Sequence, residues 1–293
     1  MKLSGSRAAV PLQAYVLHSY DWSESSLIVE LFTRSQGRVV VAAKGAKRPT
    51  SQMRSVLLPF QPIAVLLGKT PADESNEILN LRSAEWLGGQ PLPGAAALLP
   101  GFHVNELVLK LLARQDPHPL IFDLYADTLA ALAAPTSGGT EAASLRGTEA
   151  ASLRGAEAAS LRGTEAASLR AFEIGLLHGL GWLPDLSVQT QTAQALRAEG
   201  RYQLNAEAGL QASAADGITG AAWTALAAAL VHGAPAALRA ACAPVAASLR
   251  VPLRGLLQYH LGHAPLRTRQ VWQGVQQLAA LPPVRVAAPA SAT

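Results

Sequence analysis

Between Leu12 and Trp86 the apolar residues recur with the two-residue period of a β-strand; beyond residue 90 they recur with the period of a helix. That switch divides the chain. Five short runs precede it. Leu12 to Tyr20 alternates loosely, and Ser26 to Thr33 sets Leu27, Val29 and Leu31 on one face against Ile28, Glu30 and Phe32 on the other. Ser35-Gln36-Gly37 has the residues of a hairpin turn, with glycine supplying the positive φ. Val39-Val40-Val41 is a continuous β-branched run, the pattern of a strand covered on both faces. Ile63 to Leu67 lies between Pro62 and Gly68, and Asn76 to Trp86 alternates again. Five strands in under 90 residues predict a small closed barrel of the OB type, because closure removes exposed strand edges. The fold class expected is α+β, with an OB barrel over 1–88 followed by a helical domain.

Residues 89–138 and 171–281 read as that helical domain. Asn105 is expected to cap a first helix carrying Leu107, Leu111 and Leu112. Phe122, Tyr125, Leu129 and Leu132 mark a second helix, and Phe172, Leu176, Leu177 and Leu180 a third. Tyr202–Leu204 and Gly209–Gln211 suggest a small hairpin. From Thr219 to Ala280 the pattern is helical, with breaks expected at Gly233, Pro244, Pro252 and Pro265. The tail, 282–293, is rich in Pro and Ala and is expected to be disordered. Residues 139–170 are four tandem octamers, three GTEAASLR and one GAEAASLR. Each octamer turns a helix by an excess of about 80°, so no apolar stripe persists through the block. The expectation is a linker, flexible or partly helical, of which only Glu165 to Arg170 joins a packed helix.

The formal net charge is only +4, but its distribution is uneven. The last 77 residues carry six arginines and no acid, the first 90 have a net charge of +3, and the middle is acidic. Arg34, Arg38, Lys44, Lys47, Arg48 and Arg54 form a run with no acid among them. Basic ends of this kind suit a polyanion, because phosphate neutralisation releases counterions. Flexible lysines and arginines follow a phosphate backbone without reading sequence. Tyr20 and Trp22 flank Asp21 in a turn and are candidates for stacking on bases. Tyr15, Phe32 and Phe60 fit stacking and barrel core equally well.

Catalytic and metal-binding patterns are absent from the sequence. Gly68-Lys69-Thr70 lacks the earlier glycine of a phosphate-binding loop, Ile63 standing in its place. The seven histidines show no HExxH spacing, and no nucleophile elbow occurs. Cys242, the single cysteine, excludes a disulfide framework and reads as a small buried hydrophobe. No run of 18 apolar residues and no signal-peptide pattern appear, so a cytoplasmic, non-enzymatic protein is expected.

The segments AYVLHSYDWSESSLIVELFTRSQGRVVVAAKGAKRP, LLPFQP, LRSAEW and GFHVNELVLKLLARQDPHPLIFDLYADTLAAL occur in this order, followed by LRAFEIGLLHGLGWLPDL and LRVPLRGLLQYHLGHAPLRTRQVW. Together they resemble the RecO recombination mediator family over most of the chain. The resemblance implies an N-terminal OB fold, a helical C-terminal domain and binding of single- and double-stranded DNA. It further implies annealing of complementary strands and assistance to RecA loading. RecR and the C-terminal tail of single-strand-binding protein are the implied partners, and the RecA filament an indirect one. For the tail, the expected site is a leucine-lined groove rimmed by Arg250, Arg254, Arg267 and Arg269, with Leu257 among its apolar residues. Many members of the family carry a four-cysteine zinc hairpin, but residues 186–216 hold no cysteine, so no zinc and no other cofactor are expected. The alternative function is a general OB protein binding single-stranded DNA or RNA without a mediator role.

Overall fold

The computed structural model describes residues 10–68, 78–89, 91–134, 148–214, 216–262 and 264–279. Five strands close into a barrel in the order β1-β2-β3-β5-β4: β1 (Leu12–Asp21), β2 (Leu27–Thr33), β3 (Gly37–Ala43), β4 (Ile63–Leu67) and β5 (Ile78–Trp86). All pairs are antiparallel except β3 with β5. A one-turn helix, α1 (Met53–Val56), lies between β3 and β4. Gly37 begins β3 at φ 67°, and a Cβ there would fall 1.9 Å from the Asp116 carbonyl oxygen, so the β2–β3 turn admits only glycine. Thr33 Oγ1 closes the same turn by donating to the Gly37 carbonyl at 2.9 Å.

The β alternation is used on both sides. Ala14, Val16, Val29, Leu31, Val39 and Val41 fill the barrel interior. Tyr15, Leu17 and Phe32 point outward and are buried, because the helical domain covers that face. There Tyr15 and Phe32 meet Phe122 and Tyr125 with ring centroids 5.1–5.6 Å apart, all tilted or edge-on. The three aromatics left open between core and stacking are therefore core, Phe60 included.

The helical domain comprises α2 (Ala95–Leu111), α3 (Pro119–Ala133), α4 (Thr148–Gly179), α5 (Gly220–His232), α6 (Pro235–Cys242), α7 (Ala246–Leu261) and α8 (Arg267–Ala279). A small antiparallel sheet, β7-β6-β8, lies between α4 and α5, with β6 at Arg201–Asn205, β7 at Gly209–Ala212 and β8 at Ile218–Thr219. α3 starts on Pro119, where proline has no hydrogen bond to lose. α5 stops at Gly233, which is left-handed at φ 74°.

Two expectations need correction. Asn105 caps no helix: it lies within α2, where its amide donates to the Leu17 carbonyl on β1 at 2.9 Å and accepts from the Tyr125 hydroxyl at 2.7 Å. A buried amide so satisfied is tolerated mid-helix, and it ties the barrel to two helices. Pro252 does not break α7, because Leu249, Leu253, Leu256 and Leu257 around it are buried in the helical core and hold the helix together. Through the octamers the backbone is helical from Thr148 on, α4 passing through Gly155 and Gly163 to Gly179. Its described buried residues begin at Ala167 and Ser168, in the last octamer. The first octamer and the tail, 282–293, lie outside the described residues.

Pro235–Leu261 meets a length and mean-hydropathy criterion for a membrane span. The segment is nevertheless divided by a 3-10 turn at Ala243–Val245, and Leu238, Leu249 and Leu253 are buried in the core shared with α4.

Candidate nucleic-acid interface

The segment after β3 is a succession of tight turns. Ala46 N–H donates to the Ala43 carbonyl, Arg48 to Gly45, Ser51 to Arg48 and Arg54 to Ser51. Gly45 permits the first reversal at φ 73°. Because the loop turns every few residues, its cations stand along one short path. Lys44, Arg48 and Arg54 are exposed, and none of them has an ion pair among the described residues.

This loop is fastened to the β1–β2 turn. Lys47 N–H donates to the Ser25 carbonyl at 2.9 Å, and its ammonium donates to the Ser23 carbonyl at 3.1 Å and pairs with Asp21 at 3.0 Å. The same turn carries Trp22, and Tyr20 is the penultimate residue of the strand before it. Both rings are about half exposed, and Tyr20 packs edge-on against His18 at 4.5 Å. Four basic residues and two aromatic faces therefore adjoin at one end of the barrel. Such a combination tracks phosphates with its charges and stacks bases on its rings. Asp21 is a feature that charge counting passed over; its place between the two aromatics was the available signal.

The other two candidates in the basic run are occupied elsewhere. The Arg34 guanidinium makes two hydrogen bonds to the Asp123 carboxylate of α3, at 2.9 and 2.8 Å. Arg38 donates to the carbonyls of Leu109 and Leu112 at the end of α2 and lies 3.4 Å from the buried Glu30 carboxylate, which Arg114 also meets at 3.0 Å. A cation at a helix C-terminus complements the dipole. Arg38 thus serves the junction between the domains, away from the exposed cations of the loop.

At the C-terminal end, Arg250 and Arg254 are exposed on α7 and Arg267 at the start of α8, with Arg269 half-buried. The expected leucine groove is not formed among the described residues: Leu257, like Leu253 and Leu256, is buried in the helical core. Nor does the acid-free stretch lack acidic neighbours. Arg239 pairs with Asp127 of α3. Glu106 of α2 accepts from the Arg267 and Thr268 N–H groups at 2.7 and 2.9 Å and from the Thr268 hydroxyl at 2.6 Å, and pairs with Lys110 at 3.0 Å. Burial alone would raise the Glu106 pKa, but these donors outweigh it and hold the carboxyl at about 2. Glu106 is thus the N-terminal cap of α8, supplied from another helix.

Among the described residues no cluster of three or more His, Cys, Asp or Glu is placed to hold a metal. Cys242 is fully buried, and burial pushes its thiol up to about 12. His260 stacks flat on Trp182 at 4.3 Å, and burial lowers its pKa.

Residues 9–89 match the family model for the recombination protein O N-terminal domain. Over 271 residues the chain is 44% identical to the DNA repair protein RecO of Polaromonas naphthalenivorans, covering 90% of this chain and 96% of that one. The proteins of the same name from Variovorax paradoxus and Acidovorax ebreus are 47% and 46% identical, over the same shares of the two chains.

Proposed function

Because the chain belongs to the RecO family of DNA repair proteins, we propose that it is a non-catalytic recombination mediator whose primary DNA contact is the cationic loop from Lys44 to Arg54. The observation that carries this reading is the exposed charge of Lys44, Arg48 and Arg54, without ion pairs among the described residues, beside the exposed rings of Tyr20 and Trp22. Phosphates neutralised there release counterions and bring two repelling strands together, after which base pairing supplies the specificity. Both single- and double-stranded DNA suit such a surface, since it engages the backbone. Arg250, Arg254, Arg267 and Arg269 add a second basic surface, for DNA or for the acidic tail of single-strand-binding protein, without the leucine groove. RecR is the proposed companion in loading RecA onto coated strands, and the bacterial cytoplasm is the proposed site of action.

A strand-annealing assay run with and without single-strand-binding protein tests the reading. Annealing is expected in both, with the coated strands responding to RecR. Failure to anneal bare strands overturns the mediator role, and equal or tighter binding of RNA in competition at fixed salt would favour a general OB binder.

A further inference from the structure

We propose that a depression at the mouth of the barrel holds one unstacked nucleotide of a single strand, with its base on Leu27 and Leu57 and its phosphate at Arg54 and Lys47. The inference rests on the DNA-binding reading above and assigns it a base-binding subsite. The depression has a volume of about 250 Å³ and is lined by Leu27, Ala46, Lys47, Arg54 and Leu57. Leu27, Ala46 and Leu57 belong to the barrel's own interior cluster or pack against it. The floor is therefore the end of the barrel core, left open where the loop turns away toward α1.

Size and charge select the occupant. Drug-sized ligands need roughly 300 Å³ or more, so the space suits one planar ring system and excludes a stacked pair. An apolar floor with two cations on the rim matches a nucleotide, which has an apolar face and an anion on opposite sides. Lys47 is already positioned by Asp21 and Ser23, while Arg54 is exposed with no ion pair among the described residues. The cations continue past the depression to Lys44 and Arg48, as successive phosphates of a strand require and as the single end of an acidic peptide does not. Unstacking a base costs least in a strand that is already single. A strand held by one base and a row of phosphates keeps its remaining bases free to pair, which annealing demands.

The test uses the full chain and a short, end-labelled oligonucleotide whose only base is 2-aminopurine, all other positions being abasic. Label anisotropy reports binding, and acrylamide quenching reports whether the base is buried. Wild type is expected to shield the base while its emission persists. Leu27→Trp should fill the depression, keep binding and lose the shielding. Arg54→Gln, which leaves the floor untouched in case the first variant unfolds, should lower the shielding at matched saturation. A bound strand whose base stays open to acrylamide overturns the subsite while leaving the DNA reading intact. So does emission quenched on binding and restored in Trp22→Ala, which would put the base on the exposed indole. Displacement of the base by an acidic peptide, with the label still bound, would assign the depression to peptide and overturn the proposal. No anisotropy change with any oligonucleotide removes the DNA reading and the subsite together.

Discussion

The barrel has two surfaces built from the same kinds of residue, and they have opposite fates. One carries Tyr15, Phe32, Arg34 and Arg38 and is turned to the helical domain; its aromatics are buried and its arginines are engaged by Asp123, Glu30 and the end of α2. The other carries Tyr20, Trp22, Lys44, Arg48 and Arg54 and is turned to solvent, with rings half exposed and the three cations without ion pairs among the described residues. A cation in a basic run is thus a site only when no neighbouring element has already used it. Lys47 stands between the two cases, since its ammonium fastens the loop to Asp21 and Ser23 and still lies on the rim of the depression.

The contrast can be broken most forcefully on the inner surface. Phe32→Ala removes a fully buried ring from the aromatic cluster and should cost about 3–5 kcal/mol in denaturant unfolding. The salt dependence of DNA binding by the folded fraction should not change. A change in that slope would mean that the two surfaces are not separate.

The converse experiment is the Lys44→Ala, Arg48→Ala, Arg54→Ala triple variant. The slope of log affinity against log salt should fall by about three, roughly one per lost phosphate contact. The melting temperature should hardly move, because exposed substitutions away from packed features stay within about 0.5 kcal/mol each. An unchanged slope would mean that the loop faces away from DNA.

Glu106 extends the contrast to the C-terminal arginines. Glu106→Gln should weaken the anchoring of α8 by about 0.5–2 kcal/mol, the usual range for a lost N-terminal cap. Acid should do the same to wild type. The folded pKa of about 2 lies below the ordinary 4.5, so this stabilisation is present above about 4.5 and is lost as pH falls toward 2. The half-exposed Trp272 on α8 is the reporter: its emission should change over that window in wild type and not in the variant. Equal titration of both would show that Glu106 is not the group responsible.

The smallest effect belongs to Arg34→Ala. Its pair with Asp123 is about half exposed, so its loss should hardly change stability, and DNA affinity should stay near wild type. A slope lowered by a full unit would return Arg34 to the DNA-binding set.

Much of this architecture was legible in the sequence because it depends on local pattern. The two-residue period from Leu27 to Phe32 located β2 and both of its faces, and Gly37 marked its turn. Phe122, Tyr125, Leu129 and Leu132 located α3 in the same way. Asn105 and Pro252 were misread for a common reason: local propensity makes Asn a cap and Pro a breaker, whereas each sits within a helix held by distant partners. In the octamers, the missing apolar stripe bears on packing and does not decide whether the backbone is helical; α4 is helical from Thr148 although its described buried residues start only at Ala167.

For the candidate site, the sequence by itself determined where the cations and aromatics lie along the chain, the closed barrel that carries them, and the turn-forming residues of the loop. Only the tertiary structure decided which of those charges remain available. Arg34 and Lys44 are ten positions apart in one acid-free run, but Asp123 lies 89 positions beyond Arg34, and no local pattern connects them. The same holds for Leu257, whose helical spacing is equally that of a groove and of a core until α4 is seen against it. Charge and hydrophobicity are properties of a residue, whereas availability depends on what packs around it, and that is set by contacts far apart in the chain.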